Sequence, residues 1–128
     1  MKRPDFILLI DDDHITNYLT QRLLTRLNPS ATVRIANNGE EALRIIKETA
    51  DSDHITPDLI LLDVNMPVMS GIEFMSALTK SEYRDNCRIV AVTTSSNKND
   101  FAALRKYGID EIVLKPLTSS RMAELLNE

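Results

Sequence analysis

A doubly wound α/β fold, with a parallel sheet of five strands in the order 2-1-3-4-5 and five helices, is the architecture this 128-residue chain predicts. Three observations carry the prediction. Apolar runs such as Phe6-Ile7-Leu8-Leu9-Ile10, Leu59-Ile60-Leu61-Leu62, Ile89-Val90-Ala91-Val92 and Ile112-Val113-Leu114 have the length of buried strands. Between them lie segments whose apolar residues recur at helical spacing. The connections are short, and short connections between alternating strands and helices give right-handed crossovers and a parallel sheet.

The elements follow in order. Phe6–Ile10 is the first strand. Ile15, Leu19, Leu23 and Leu27 then mark a helix that Asn28-Pro29 stops, and this stripe is assigned to core packing. Thr32–Ala36, rich in branched residues, is the second strand. Asn37-Asn38-Gly39 is a turn and cap, followed by a Glu-rich helix to about Thr49. Residues 50–57 read as a polar loop, and 59–62 as the third strand. Pro67 and Ser70-Gly71 bound a loop before a helix carrying Ile72, Met75 and Leu78. Residues 88–92 form the fourth strand. Residues 95–99 can cap a helix with Phe101, Leu104 and Tyr107, ended by Gly108. Glu111–Leu114 is the fifth strand, and Thr118 or Ser119 caps a last helix with Met122, Leu125 and Leu126.

The length suits a single domain, 1–128, with one core, and no linker or attached output domain is expected. Lys and Arg number 15 against 19 Asp and Glu, a net charge of −4 with no basic run, so no nucleic-acid footprint is visible. No stretch approaches the roughly 20 apolar residues of a membrane span, and the start is too short for a secretion signal. Cys87 is the single cysteine, which excludes an internal disulfide, fits a reducing cytosol and reads as a small filler before a strand.

The chemistry sits at the strand ends. The apolar runs lead into Asp11-Asp12-Asp13, Asp63, Thr93-Thr94 and Lys115-Pro116. In this sheet order the first and third strands are neighbours, and residues past their carboxyl ends share one crevice. Asp11 and Asp12 are candidates for Mg²⁺, one directly and one through a retained water, whereas Asp13 suits the positive end of a helix. Asp63 can act as a nucleophile toward phosphorus, forming an acyl phosphate. Asn65, two residues on, can turn its carbonyl or side chain to the same cavity. Three converging carboxylates repel one another, and a bound cation relieves that. One hydroxyl among Thr93, Thr94 and Ser95 faces the crevice. Lys115 is expected to turn its ammonium inward, and Pro116 admits a cis bond before it. His14 and His54 read as solvated, with no second ligand for a transition metal.

Asp11-Asp12, Asp63, Thr93 and Lys115-Pro116, in that order over nearly the whole chain, resemble the receiver domain of two-component response regulators, a flavodoxin-like fold typified by chemotaxis regulators. The stretch Leu61-Leu62-Asp63-Val64-Asn65-Met66-Pro67-Val68-Met69-Ser70-Gly71 is similar to that family's phosphoacceptor segment. The resemblance implies phosphorylation of Asp63 by a histidine kinase or phosphotransfer protein, with Mg²⁺ held by Asp12 directly, Asp11 through water, Asp63, and the carbonyl of Asn65. It implies that Thr93 follows the phosphoryl group and that Lys115 pairs with it. The position three before Lys115 is commonly aromatic in the family and reports activation. Here it is Ile112, a departure from the usual switch.

The expected function is that of a stand-alone receiver, a phosphorylation-dependent switch or relay shuttle in the cytoplasm. It would catalyse only its own phosphorylation and dephosphorylation and signal to a downstream protein, with a homodimer one assembly open to it. An aspartyl phosphohydrolase would need a carboxylate where Asn65 stands. A flavodoxin-like cofactor carrier would need a phosphate loop where Asp11-Asp12 would repel one. A degenerate receiver that binds partners without phosphorylation is the remaining alternative.

Overall fold

The computed structural model describes residues 3–64, 66, 69–94, 98–109 and 111–127. The strands are β1 (Phe6–Ile10), β2 (Thr32–Ala36), β3 (Leu59–Asp63), β4 (Arg88–Thr93) and β5 (Glu111–Leu114). The helices are α1 (His14–Leu27), α2 (Gly39–Asp53), α3 (Gly71–Thr79), α4 (Lys98–Lys106) and α5 (Ser119–Asn127). All strand pairs are parallel, in the order β2-β1-β3-β4-β5, as expected.

The sheet divides the core. On one face Leu8, Ile10, Ile60, Leu62 and Ala91 pack under α2, α3 and α4 through Ile46, Phe74, Leu78 and Leu104. On the other, Ile7, Leu9, Leu61, Val90 and Val92 pack under α1 and α5 through Leu24, Met122 and Leu125. Every residue of β1 and β3 is buried, as central strands covered on both faces require. Asp58 secures the end of the sheet far from the acids. Its carboxylate accepts from the backbone N–H groups of Asp5 and Phe6 at 2.7 and 2.9 Å.

Four details depart from the sequence reading. The stripe Ile15, Leu19, Leu23, Leu27 is not one core face: α1 buries Asn17 and Leu24, while Ile15 and Leu19 are 70% and 58% exposed. Helix α2 runs through Asp53 into the segment read as loop from residue 50. Its last turn is exposed, so no apolar spacing marks it, and it closes on His54 in the left-handed region at φ 57°. A 3₁₀ turn, Arg84–Asn86, precedes β4 and was not foreseen. Strands β3 and β4 each extend one residue further, so that Asp63 and Thr93 are the last residues of strands rather than the first beyond them. The caps are as expected where they are described. Asn38 caps α2, and Thr118, not Ser119, caps α5 by accepting from the N–H of Arg121 at 3.1 Å. Ser95 and Asn97, read as the start of the fourth helix, lie outside the described residues, as do Asn65 and Pro67.

Candidate functional site

The site is built by the strand ends. At Ile10, β1 is held between β2 and β3 in register with Ala36 and Leu62. The N–H of Asp11 still pairs with the Ala36 carbonyl at 3.1 Å, after which the chain turns into α1. Asp13 is the N-cap of that helix: its carboxylate accepts from the N–H of Ile15 at 3.0 Å and the hydroxyl of Thr16 at 2.8 Å. The Thr16 hydroxyl first, then the Ile15 N–H, hold the Asp13 carboxyl below the usual carboxylate range. Asp13 is therefore spent on the helix, as the sequence suggested.

Asp11, Asp12 and Asp63 converge, offering carboxylate oxygens that lie within 4.8 Å of one another. Asp11 and Asp63 are buried and Asp12 is exposed at the mouth. Three hard oxygen donors so placed suit a small divalent cation such as Mg²⁺, which keeps several of its waters. Lys115 answers the charge from the end of β5, where the Lys115–Pro116 peptide is cis. Its Nζ lies 2.8 Å from Asp11 Oδ2 and 3.5 Å from Asp63 Oδ1. Burial, the largest influence, works against the ammonium. The hydrogen bond with Asp11 and the charges of Asp63 and Asp11 together outweigh it, and the pKa is raised above the ordinary lysine value.

The two threonines at the end of β4 sit at different depths. Thr93, 1% exposed, ends β4, and its carbonyl accepts from the Lys115 N–H at 2.8 Å. Thr94 lines the crevice together with Asp11, Asp63 and Lys115. Ile112 is partly buried against the core on the α4 side. His14 and His54 are exposed, and neither joins the carboxylate cluster.

Two residues to which the sequence assigned no role of their own at the site help to shape it. Gly71, at the start of α3, sits so close behind Asp63 that a Cβ there would lie 2.6 Å from the Asp63 carbonyl oxygen. Its N–H donates to the Val64 carbonyl at 2.9 Å, so only glycine lets α3 approach the strand end this closely. Asn17, buried in α1, donates from Nδ2 to the Asp11 carbonyl at 2.8 Å. The only trace of either in the sequence was a Ser-Gly pair and one polar residue in an amphipathic helix.

From the carboxylates a groove of about 740 Å³ runs between α1 and the segment after β5. Leu9, Leu61 and Val92 form its floor, and Arg22 and Arg26 stand at its other end. Ile15, Tyr18 and Leu19 are exposed on α1 beside it.

Three carboxylates and one ammonium at the carboxyl edge of a 2-1-3-4-5 sheet are the arrangement expected of a receiver domain. The family model of the response regulator receiver domain matches residues 7–127, and the chain belongs to that family. Among its relatives, two-component response regulator 24 of Arabidopsis thaliana is 31% identical, over 94% of this chain and 81% of that protein. The nitrate/nitrite response regulator protein NarL of Escherichia coli strain K12 is 30% identical over 99% of this chain. Hybrid signal transduction histidine kinase I of Dictyostelium discoideum is 31% identical over 97%. The chain spans only 55% of NarL and 7% of the hybrid kinase. Of solved structures, a two-component response regulator from Cytophaga hutchinsonii superposes with a TM-score of 0.85 at 25% identity, covering 98% of this chain and 96% of that one. One from Legionella pneumophila gives 0.82 at 28% identity, covering 93% and 92%.

Proposed function

We propose that residues 1–128 work as one receiver unit that takes a phosphoryl group onto Asp63 and signals by protein contact. The observation that carries this is the carboxylate of Asp63 at the end of a central strand, facing Asp11, Asp12 and Lys115. In the transfer, an Asp63 carboxylate oxygen attacks phosphorus. The O–P bond forms as the N–P bond of a phosphohistidine breaks, and the freed imidazole nitrogen leaves with the bond's electron pair and takes up a proton. Water later attacks phosphorus and releases inorganic phosphate, restoring the carboxylate. The protein is in this sense no conventional enzyme, because it catalyses only its own phosphorylation and dephosphorylation.

Asp12, Asp11, Asp63 and the carbonyl of Asn65 would hold Mg²⁺, with Asp12 in direct contact and Asp11 through water. The cation, when bound, neutralises charge between carboxylates and phosphoryl oxygens. Lys115, already within reach of Asp63, supplies the remaining positive charge on the phosphoryl group. Thr93 supplies the hydroxyl that follows it, from a strand end tied to Lys115 through the backbone. The donor is a histidine kinase or phosphotransfer protein. The exposed Ile15, Tyr18 and Leu19, contiguous with the groove that leads to Asp63, suit the apolar face of its histidine-bearing helix. We assign this work to the cytoplasm: Cys87 is a free thiol, and no described helix is long and apolar enough to cross a membrane.

The test is intact mass after exposure to a small phosphodonor. One added phosphoryl group is expected with Mg²⁺ and none with a chelator. Peptide mapping should find it on Asp63. Labelling of Asp63→Asn to the extent of the parent protein would overturn the assignment.

A further inference from the structure

We infer that Asn17 is a positioning residue for the acidic turn, and that its side-chain amide sets the affinity of Asp11 and Asp12 for a divalent cation. The inference rests on reading those carboxylates as the Mg²⁺ site.

Few polar side chains are buried in the described structure, and most have an evident duty. Asn28 holds the N-terminal segment through the Pro4 carbonyl, and Thr49 donates within its own helix. Asn17 is 4% exposed and faces the strand end that carries the acids. The Asp11 N–H still donates to the Ala36 carbonyl of β2, and the carbonyl of Asp11 lies past the end of β1, where the chain turns into α1. A buried carbonyl needs a donor. Asn17 Nδ2 supplies it at 2.8 Å.

The other end of the turn is held by the start of α1. The backbone N–H of Asn17 donates to the Asp13 carbonyl at 3.0 Å, and the Asp13 N–H donates to Asp11 Oδ1 at 2.9 Å. The Asn17 amide thus ties residue 11 to α1, the first hydrogen bond of that helix holds residue 13, and the exposed Asp12 lies between these two points. The orientation of the Asp11 carboxylate is set on one oxygen by Asp13 and on the other by Lys115 at 2.8 Å. An amide is the suitable donor here. It satisfies the carbonyl without adding a cation that would compete with a metal for the carboxylates, as arginine or lysine would. Asparagine at this place is more than helix packing, because a packing residue would owe nothing to the strand's carbonyl.

Groups that orient metal ligands typically change metal affinity by 10–100-fold when removed. Asn17→Ala should bind Mg²⁺ about tenfold more weakly than the parent, read from amide shifts of residues 11–13 during titration. Thr49→Val is the control, since it removes a buried hydroxyl on α2 and should leave the Mg²⁺ affinity unchanged. In the unaltered protein, the Asn17 side-chain NH₂ signals should shift on Mg²⁺ addition with the same dissociation constant as the Asp12 and Asp13 amides. That measurement stands even if Asn17→Ala does not fold. Parent and Asn17→Ala binding Mg²⁺ equally, or Asn17 side-chain signals unmoved while those of Asp12 move, would overturn the inference and leave the metal site standing. A parent protein that takes up no Mg²⁺ would overturn both.

Discussion

Lys115 shows how one residue can tie the site's charge to its pH behaviour. Its folded pKa lies above the ordinary lysine value, so the stability it confers is complete below the unfolded pKa of about 10.4 and is lost as pH rises through the folded value. Without divalent cation, Lys115→Met should be less stable than the parent by roughly 1–3 kcal/mol, because Asp11 and Asp63 lose their buried partner. Denaturant titrations should find that gap constant between about pH 7 and 9 and closing above about pH 10.5. A gap that widens with alkalinity would contradict the pairing. Gly71 makes a steric prediction instead. A methyl group 2.6 Å from the Asp63 carbonyl oxygen and 2.8 Å from Val64 Cα meets backbone that cannot swing aside. Gly71→Ala should cost about 1–3 kcal/mol in chemical denaturation and also slow phosphorylation, since relief requires moving α3 or the strand end of Asp63. Normal stability with normal labelling would show that the contact yields freely.

Among the elements, α4 and β5 are where a phosphoryl group on Asp63 would be read. Charge arriving on Asp63 draws the Thr93 hydroxyl, since a charge-assisted hydrogen bond outweighs a neutral one. Movement of the β4 end is then expected to reach the start of α4. Ile112, packed against the core on the α4 side, lacks the polar tip of an aromatic switch and is expected to stay in place. The opposite end of α4 is held: Arg84 donates to the Tyr107 carbonyl and the Cys87 carbonyl, both at 3.3 Å. The start of α4 should therefore respond more than its end. Amide shifts with a beryllofluoride mimic of the phosphoryl group should centre on residues 94–107 and be reduced in Thr93→Ala. Shifts confined to the surroundings of Asp63 would exclude this route. The exposed half of α1 behaves differently, as Ile15 and Leu19 belong to no core cluster. Their replacement by Ser should spare stability and slow transfer from a phosphohistidine protein while leaving transfer from a small phosphodonor unchanged.

The whole molecule links the metal to the fold. A cation that binds only the native state stabilises it by about 2.7 kcal/mol at a hundred times its dissociation constant. Cys87 provides a reporter of that stabilisation. Burial, partly opposed by Arg84, pushes its thiol up to about 11, so at pH 8 it should react with a disulfide reagent only when the core opens. Saturating Mg²⁺ should slow that reaction by about a hundredfold, the same free energy read kinetically. In Asp12→Ala the slowing should largely vanish. Equal protection in both proteins would mean that the cation acts elsewhere.

How far the chain's residues foretold this molecule depends on the range of the interaction. Burial on both faces of a sheet leaves unbroken apolar runs, so β1, β3 and β4 were legible, and so was the meeting of the acids with the lysine that follows β5. Alternation and short crossovers pointed to a parallel sheet, the order 2-1-3-4-5 was its doubly wound candidate, and that order brings Asp11 and Asp63 together. Exposed turns leave no such mark, which is why the end of α2 and the 3₁₀ turn before β4 were missed. Apolar spacing along α1 showed that it was amphipathic but not which side the sheet would cover, and the sheet covers Asn17 and Leu24. Close contacts between distant residues left no local signature. The lysine reaches Asp11 across 104 positions, and Gly71 presses on a strand end that only packing sets beside it. The sequence alone carried the fold class and the carboxylates and ammonium of the crevice, because burial and chain direction act locally. Tertiary structure decided which carboxylate the lysine holds, which amide steadies the acidic turn and which face of α1 remains open, because each depends on distances set only when helices and sheet pack together.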